Sequence, residues 1–240
     1  MMMRYVMMMF LILFASAAFA ADDIAATYVY EGGDKVTLVT RDSKHVRMDM
    51  SPENYMLLKD GKVYTVSKDE DGKWMVMDMS RMKGLASGGL AGLMTGGAAP
   101  ALPDKAYTVK YDKTGKKEEI AGYTGVVYNM TTLEDGKVVD KDEIVLCSHE
   151  DLKKVNDAWS AVALQMGEFM GEKEAKSLEK ATKEANAAGY GGMLRYGKDM
   201  KLESLKKQSL AASTYEIPAG AQVMDMGGLT QGLMNQLQED

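Results

Sequence analysis

The stretch VRMDMSPENYMLLKDGKVYTVSKDEDGKWMVMDMSRM, Val46 to Met82, decides the fold of this chain. It consists of short alternating runs of apolar and polar residues, separated by Ser51-Pro52, Asp60-Gly61 and Asp71-Gly72. Asp-Gly between alternating runs is typical of a two-residue hairpin, because both central residues of a type I′ turn need positive φ. The stretch therefore predicts four consecutive antiparallel strands.

Two-residue turns also fix which residues lie opposite each other. Around Asp60-Gly61, Tyr64 is predicted opposite Leu57. Met48 is predicted opposite Tyr55 across Ser51-Pro52, and Val66 opposite Met77 across Asp71-Gly72. Because side chains alternate between the two sides of a strand, one side is predicted to form a methionine–aromatic face. Its predicted members are Val46, Met48, Met50, Tyr55, Leu57, Tyr64, Val66, Met75, Met77 and Met79. From it we take these candidate ligand-binding residues: Met48, Tyr55, Tyr64, Met75, Met77 and Met79.

The first twenty residues are typical of a secretory signal peptide rather than of the fold. Arg4 precedes the apolar run 6–14, and Ala18-Phe19-Ala20 fits a small-residue cleavage site. We therefore expect cleavage at Ala20 and a periplasmic or secreted protein. The run is short for an uncleaved membrane anchor, and no cysteine follows it as a lipoprotein signal would require.

Charge and motifs exclude several classes of function. The formal net charge of −6 argues against nucleic acid or an anionic membrane as the main partner. The sequence contains no G-x-S-x-G, H-E-x-x-H, phosphate-loop or C-x-x-C motif, and only His45 and His149 could act as neutral-pH bases. We expect no enzyme activity and no cofactor. Cys147 is the single cysteine, so the chain cannot form an internal disulfide.

Outside the central stretch, further strands and one clear helix are predicted. Strands are expected at 26–31 and 35–41, at 105–112, 116–121, 123–133 and 137–147, and near 193–200 and 202–210. Ser148 and Asp151 form a candidate capping box for a helix at 149–170. Its apolar residues recur at spacings of three and four: Leu152, Val155, Trp159, Val162, Met166 and Phe169. A second, charged helix is predicted at 172–187.

An uncharged insert, residues 84–103, interrupts the strands. Gly84, Gly88, Gly92 and Gly96 recur every four residues, and Pro100 and Pro103 follow. Three interpretations remain open: a glycine-rich loop or lid, a short apolar helix that covers the sheet, or a membrane-inserting segment. A single domain is expected at 21–226, with a tail at 227–240.

The order of these elements resembles a family of secreted domains of unknown function. The signal peptide, the long meander, the IAGY motif (residues 120–123), the following helix and the ending STYEIPAG (residues 213–220) carry the resemblance. Those domains are similar in shape to the outer-membrane lipoprotein carriers of the Lol pathway. The resemblance implies an α+β fold, in which a curved antiparallel half-barrel sheet has helices packed on its concave face. It also implies a hydrophobic small molecule or acyl chain as ligand.

Methionine-rich strands allow a second hypothesis. Met-x-Met occurs at residues 48–50, 75–79 and 224–226. Thioethers are soft ligands that select Cu(I), and Cys147 with His149 could add a thiolate and an imidazole. The same pattern also describes a buried strand face, because methionine fills irregular cores. The predicted functions are thus hydrophobe binding, Cu(I) binding, or docking to a protein of the cell envelope.

Overall fold

The computed structural model describes residues 23–82, 107–170, 176–177, 179–180, 182–184 and 190–224. The predicted signal peptide, the insert at 84–103 and the tail at 227–240 lie outside these residues. Of the predicted second helix, residues 176–177, 179–180 and 182–184 are helical. No helix within the described ranges combines the length and apolarity needed to span a bilayer.

Twelve strands form one large, open, curved sheet, and helical structure is a minor part of the described chain. The strands follow the order β12-β6-β5-β4-β3-β2-β1-β11-β10-β9-β8-β7. Their bounds are β1 Asp23–Tyr30, β2 Lys35–Asp42, β3 His45–Ser51, β4 Asn54–Lys59, β5 Lys62–Lys68, β6 Trp74–Asp78, β7 Tyr107–Ile120, β8 Tyr123–Glu134, β9 Lys137–Cys147, β10 Gly192–Tyr196, β11 Met200–Gln208 and β12 Gln222–Val223. Helix α1 covers Glu150–Met170, and 3-10 turns lie at Met79–Met82 and Ala212–Tyr215.

The predicted six-strand meander is confirmed, and its central hairpin has the predicted register. Asp60 and Gly61 both have positive φ, 52° and 71°, as a type I′ turn requires. Leu57 lies opposite Tyr64, as predicted. Two further hairpins turn in the same way, at Asp135-Gly136 and at Ala121-Gly122 of the IAGY motif.

The register across the two neighbouring turns differs from the prediction by one residue. The loop between β3 and β4 is Pro52-Glu53 with a bulge between Asp49 and Ser51, so Met48 lies opposite Met56 rather than Tyr55. Between β5 and β6 the loop spans residues 69–73, so Val66 lies opposite Val76 rather than Met77. A shift of one residue moves every side chain of a strand to the other side. The single methionine–aromatic face is therefore wrong.

The sheet carries separate apolar clusters on its two sides at β3–β6. Val46, Met48, Leu58 and Val63 belong to the main core, which also contains the buried stripe of α1. Tyr55, Leu57, Val66 and Val76 belong to a second cluster, which is completed by Tyr215 and by apolar residues of the C-terminal segment. This segment, 210–224, ends in β12, which pairs in parallel with β6.

Strands β7–β11 form a second meander that joins the first through pairing of β1 with β11. This part of the sheet is strongly curved. Arg195 on β10 contacts Glu118 on β7 at 2.9 Å, although three strand spacings, about 14 Å in a flat sheet, separate the two strands. The two predicted strands at 105–112 and 116–121 are one strand, β7, with an irregularity between Lys113 and Lys117.

Helix α1 packs with the predicted apolar stripe against the sheet. Leu152, Val155 and Val162 are buried in the main core, and Trp159 meets Tyr28 of β1 edge to face with ring centroids 6.4 Å apart. At the first turn, the Asp151 backbone N–H donates to Nδ1 of His149 at 3.3 Å, in place of the predicted Ser148 capping box. The helix thus covers the side of the sheet that carries Met48.

Candidate ligand-binding surface

Five methionines of the first meander lie together on the side of the sheet that α1 covers, and we call them the methionine face. Met48 of β3 lies opposite Met56 of β4, and in the same row Thr65 of β5 lies opposite Met77 of β6. By strand alternation Met75 points to the same side. The fifth member, Met79, follows β6. Thr65 Oγ1 donates to the Met79 Sδ at 3.4 Å.

The methionine face is only partly buried. Met48 has 7% of its surface exposed, whereas Met56, Met75, Met77 and Met79 are each intermediate between buried and exposed. Met166 of α1 packs against the same core as Met56 and Met79. Flexible, unbranched thioether side chains on both sides of Thr65 therefore form a partly exposed, mainly apolar surface on the side of the sheet that α1 covers.

The two tyrosines predicted to bind ligand lie on the other side of the sheet. Tyr55 is 2% exposed, with Trp74 at a ring-centroid distance of 5.8 Å and the Arg47 guanidinium 3.7 Å from its ring centre. Tyr64 packs beside it in the second cluster. Their contacts are those of core residues. The sequence does not predict that Met56 belongs to the methionine face, because the run Tyr55–Leu58 is apolar throughout and its pattern fits either register.

The C-terminal motif STYEIPAG is anchored by a buried carboxylate. Asp23 is fully buried and accepts hydrogen bonds from Arg41 Nε at 3.0 Å, from the Leu210 N–H at 2.8 Å and from the Tyr215 hydroxyl at 2.9 Å. Burial alone raises the pKa of Asp23, but the hydrogen bonds from Arg41, Leu210 and Tyr215 outweigh it and hold that pKa below its usual value. The motif therefore ties the C-terminal segment to β1.

The residues proposed as additional metal ligands lie far from the methionine face. Cys147 ends β9, five positions from β3 in the strand order, and pairs with Gly192. The His149 ring packs edge to face against Tyr123 at 4.9 Å. Within the described part of the chain, no group of three or more histidine, cysteine or acidic residues could hold a metal ion. A metal at the methionine face would have to rely on thioethers.

Comparison with known proteins gives little guidance. No protein-family model matches the chain, and no curated protein matches it. Two solved structures of PNGF-II, in C2 and P21 space groups, are similar over 89% of this chain, with 10% and 9% identity and TM-scores of 0.38 and 0.36. The chain spans about a third of the length of PNGF-II, 33% in each case. Similarity at this level carries no argument about fold or function.

Proposed function

We propose that this chain is an exported, non-catalytic binding protein that holds a lipid or another hydrophobic molecule on its methionine face. The observation that supports the proposal is the row Met48, Met56, Thr65 and Met77, which stays partly open beside α1. Methionine has three rotatable side-chain bonds and a polarizable sulfur, so such a surface adapts to varied apolar shapes. The signal-like start of the sequence supports export.

The curvature of the sheet supports the finer part of this proposal. A half-barrel with α1 on its concave side would leave the methionine face as the open part of a groove between sheet and helix. Each methylene of an acyl chain that enters such a groove contributes about 0.8 kcal/mol. A chain of moderate length could therefore bind through apolar burial, with its polar head in solvent.

Native mass spectrometry of the mature protein, purified from periplasm without detergent, tests the proposal directly. Extra mass of lipid size that is lost on organic extraction would support carriage and identify the class of ligand. A copper-sized increment would instead support a metal site. The bare protein mass, together with no uptake of added acyl chains, would contradict the proposal and favour docking to another envelope protein.

Substitution of Met77 by aspartate should strongly weaken acyl-chain binding. A charge on the methionine face would have to be desolvated by the ligand, so we expect the affinity for cis-parinaric acid to fall tenfold or more, about 1.4 kcal/mol. Met77→Leu keeps the surface apolar and should bind nearly as well as the unmodified protein. The measurement is a fluorescence titration, with circular dichroism to confirm that each variant is folded.

Tyr64→Asp provides the matched control on the opposite side of the sheet. If the methionine face binds the ligand, a folded Tyr64→Asp variant should retain the affinity for cis-parinaric acid. Equal losses in the Met77 and Tyr64 variants would contradict a site on one side.

One observation favours Cu(I) as a second candidate. Met48 and Met56 form a direct cross-strand pair, and such pairs have Cβ atoms about 4.5–5.5 Å apart. Two thioethers at this spacing can converge on one soft metal ion. Substituting Met48, Met56 and Met77 together by leucine would remove Cu(I) binding and leave acyl-chain binding intact. Loss of acyl-chain binding in the folded triple variant would argue that the sulfur atoms themselves contact the chain.

A further inference from the structure

A second cavity lies in the other half of the molecule, away from the methionine face. It has a volume of about 260 Å³ and lies between strands β7–β10, α1 and the segment that leads into β10. Side chains from all of these elements line it, chiefly Tyr111, Met130, Asn156, Tyr190, Met193 and Tyr196. The strand pairs Tyr111–Met130 and Ile144–Tyr196 show that its sheet residues share one side.

Aromatic rings dominate one wall of the cavity. The ring of Tyr190 is 5.0 Å from that of Tyr111 and 5.1 Å from that of Tyr128, in tilted and edge-to-face arrangements. These geometries are the favourable ones for aromatic pairs. A further ring in the cavity would continue the same cluster, with ring edges and faces both available.

The polarity of the lining restricts the ligand further. No lining residue is charged. Burial raises the pKa of Tyr111, and burial together with Asp140 raises that of Tyr196, so both phenols stay neutral well above neutral pH. The Tyr196 hydroxyl already donates to Asp140 at 3.4 Å. The Asn156 side-chain amide, like the Tyr111 and Tyr190 hydroxyls, makes no hydrogen bond to the described part of the chain, so an amide on α1 can donate to or accept from a ligand.

We propose that this cavity is a binding site for a small, neutral aromatic molecule of one or two rings. Its rings would pack against Tyr111 and Tyr190, and its single polar group would hydrogen-bond to the Asn156 amide. The cavity volume lies just below the range of about 300–1,000 Å³ that is typical of drug-sized ligands, so a long acyl chain does not fit. The site is thus independent of the methionine face and takes a different class of ligand.

Calorimetric titration of the full mature chain with 2-naphthol and with naphthalene tests this assignment. Both probes should bind, because both fill the aromatic cavity. Asn156→Leu should weaken 2-naphthol five- to tenfold, about 1 to 1.4 kcal/mol, and leave naphthalene unchanged or slightly tighter. Lys154→Leu, which places the same side chain at an exposed position of α1 outside the cavity lining, is the matched control and should change neither affinity by more than about twofold.

Filling the cavity provides the second arm of the test. Ile144→Trp should abolish binding of both probes while cis-parinaric acid still binds the methionine face. Met193→Phe is the alternative filling variant, should the tryptophan prevent folding. Undiminished binding of 2-naphthol in a folded, filled variant would overturn the site. Absence of binding of either probe to the unmodified protein at millimolar concentration would also overturn the site. If Asn156→Leu lowered the affinity for both probes equally, the proposed role of the amide would be wrong.

Discussion

Replacing Asp23 by alanine is expected to destabilise this protein strongly. The carboxylate is completely buried and accepts hydrogen bonds from Arg41, from the Leu210 backbone and from Tyr215. Its loss leaves the Arg41 guanidinium with the Leu210 carbonyl but no carboxylate partner, and it removes the acceptor of the Leu210 N–H and of the Tyr215 hydroxyl. Breaking one side of such a buried pair costs about 3–5 kcal/mol. Urea denaturation followed by circular dichroism measures the change.

The control for this prediction is Tyr215→Phe, which keeps the ring against Arg41 and removes a single hydroxyl. We expect it to cost about 1–3 kcal/mol, because the Asp23 carboxylate loses one hydrogen bond and retains the others. Equal costs for the two variants would contradict the central role of the carboxylate. They would place the stabilisation in the packing of the C-terminal segment instead.

The same network predicts how stability depends on pH. The pKa of Asp23 is lower in the folded protein than the value of about 3.9 expected when unfolded. A depressed carboxyl pKa contributes stability that is fully present above the unfolded pKa and is lost as the pH falls through the folded pKa. The stability difference between the unmodified protein and Asp23→Ala should therefore be constant at neutral pH and shrink below about pH 4.

The part of the fold that could be predicted depends on local turn chemistry. Asp60-Gly61 allows only one short hairpin, so the register of Leu57 with Tyr64 follows from the sequence. Ser51-Pro52 and Asp71-Gly72 do not fix the loop length in this way. At the first turn a bulge shifted the register, and at the second the loop has five residues, 69–73. A change of one residue at each turn was enough to place the side chains of β3 and β6 on the opposite side of the sheet from Tyr55 and Tyr64.

The candidate sites could likewise be predicted only where they depend on neighbouring strands. Met48, Met75 and Met77 were predicted to share one side of the sheet, and they do. The register of β3 against β4 and that of β6 against β5 each differ from the prediction by one residue, so all three methionines lie on the side opposite to Tyr55 and Tyr64. The aromatic cavity could not be predicted, since it combines residues 111, 130, 144, 156 and 190–196 from five parts of the chain. Asp23 was missed for another reason. It lies near the predicted cleavage site, where an acidic residue is expected to be exposed to solvent.

The other large effect on stability is expected at Gly192, where α1 meets the start of β10. A Cβ atom at this position would lie 2.2 Å from the Leu152 Cβ and 2.5 Å from the Leu152 backbone carbonyl. Neither contact can be relieved by rotating a flexible side chain, so the first turn of α1 must move away from the sheet. Leu152 is fully buried in the main core. We therefore expect Gly192→Ala to cost about 3 kcal/mol or more, at the upper end of overpacking effects.

Gly32→Ala is the matched control, because the same methyl group there meets only Asp34 Oδ2 at 3.8 Å. At this exposed turn we expect a change within about 0.5 kcal/mol. The midpoints of urea unfolding of the two variants give the comparison, and near-UV circular dichroism in a Trp74→Phe background, where Trp159 is the remaining tryptophan, reports whether α1 has shifted from Tyr28. Equal midpoints would show that α1 does not rest on β10 as closely as the structure indicates. A selective loss in Gly192→Ala would show that the close contact between α1 and β10 stabilises the fold, and hence that it supports the aromatic cavity that both of them line.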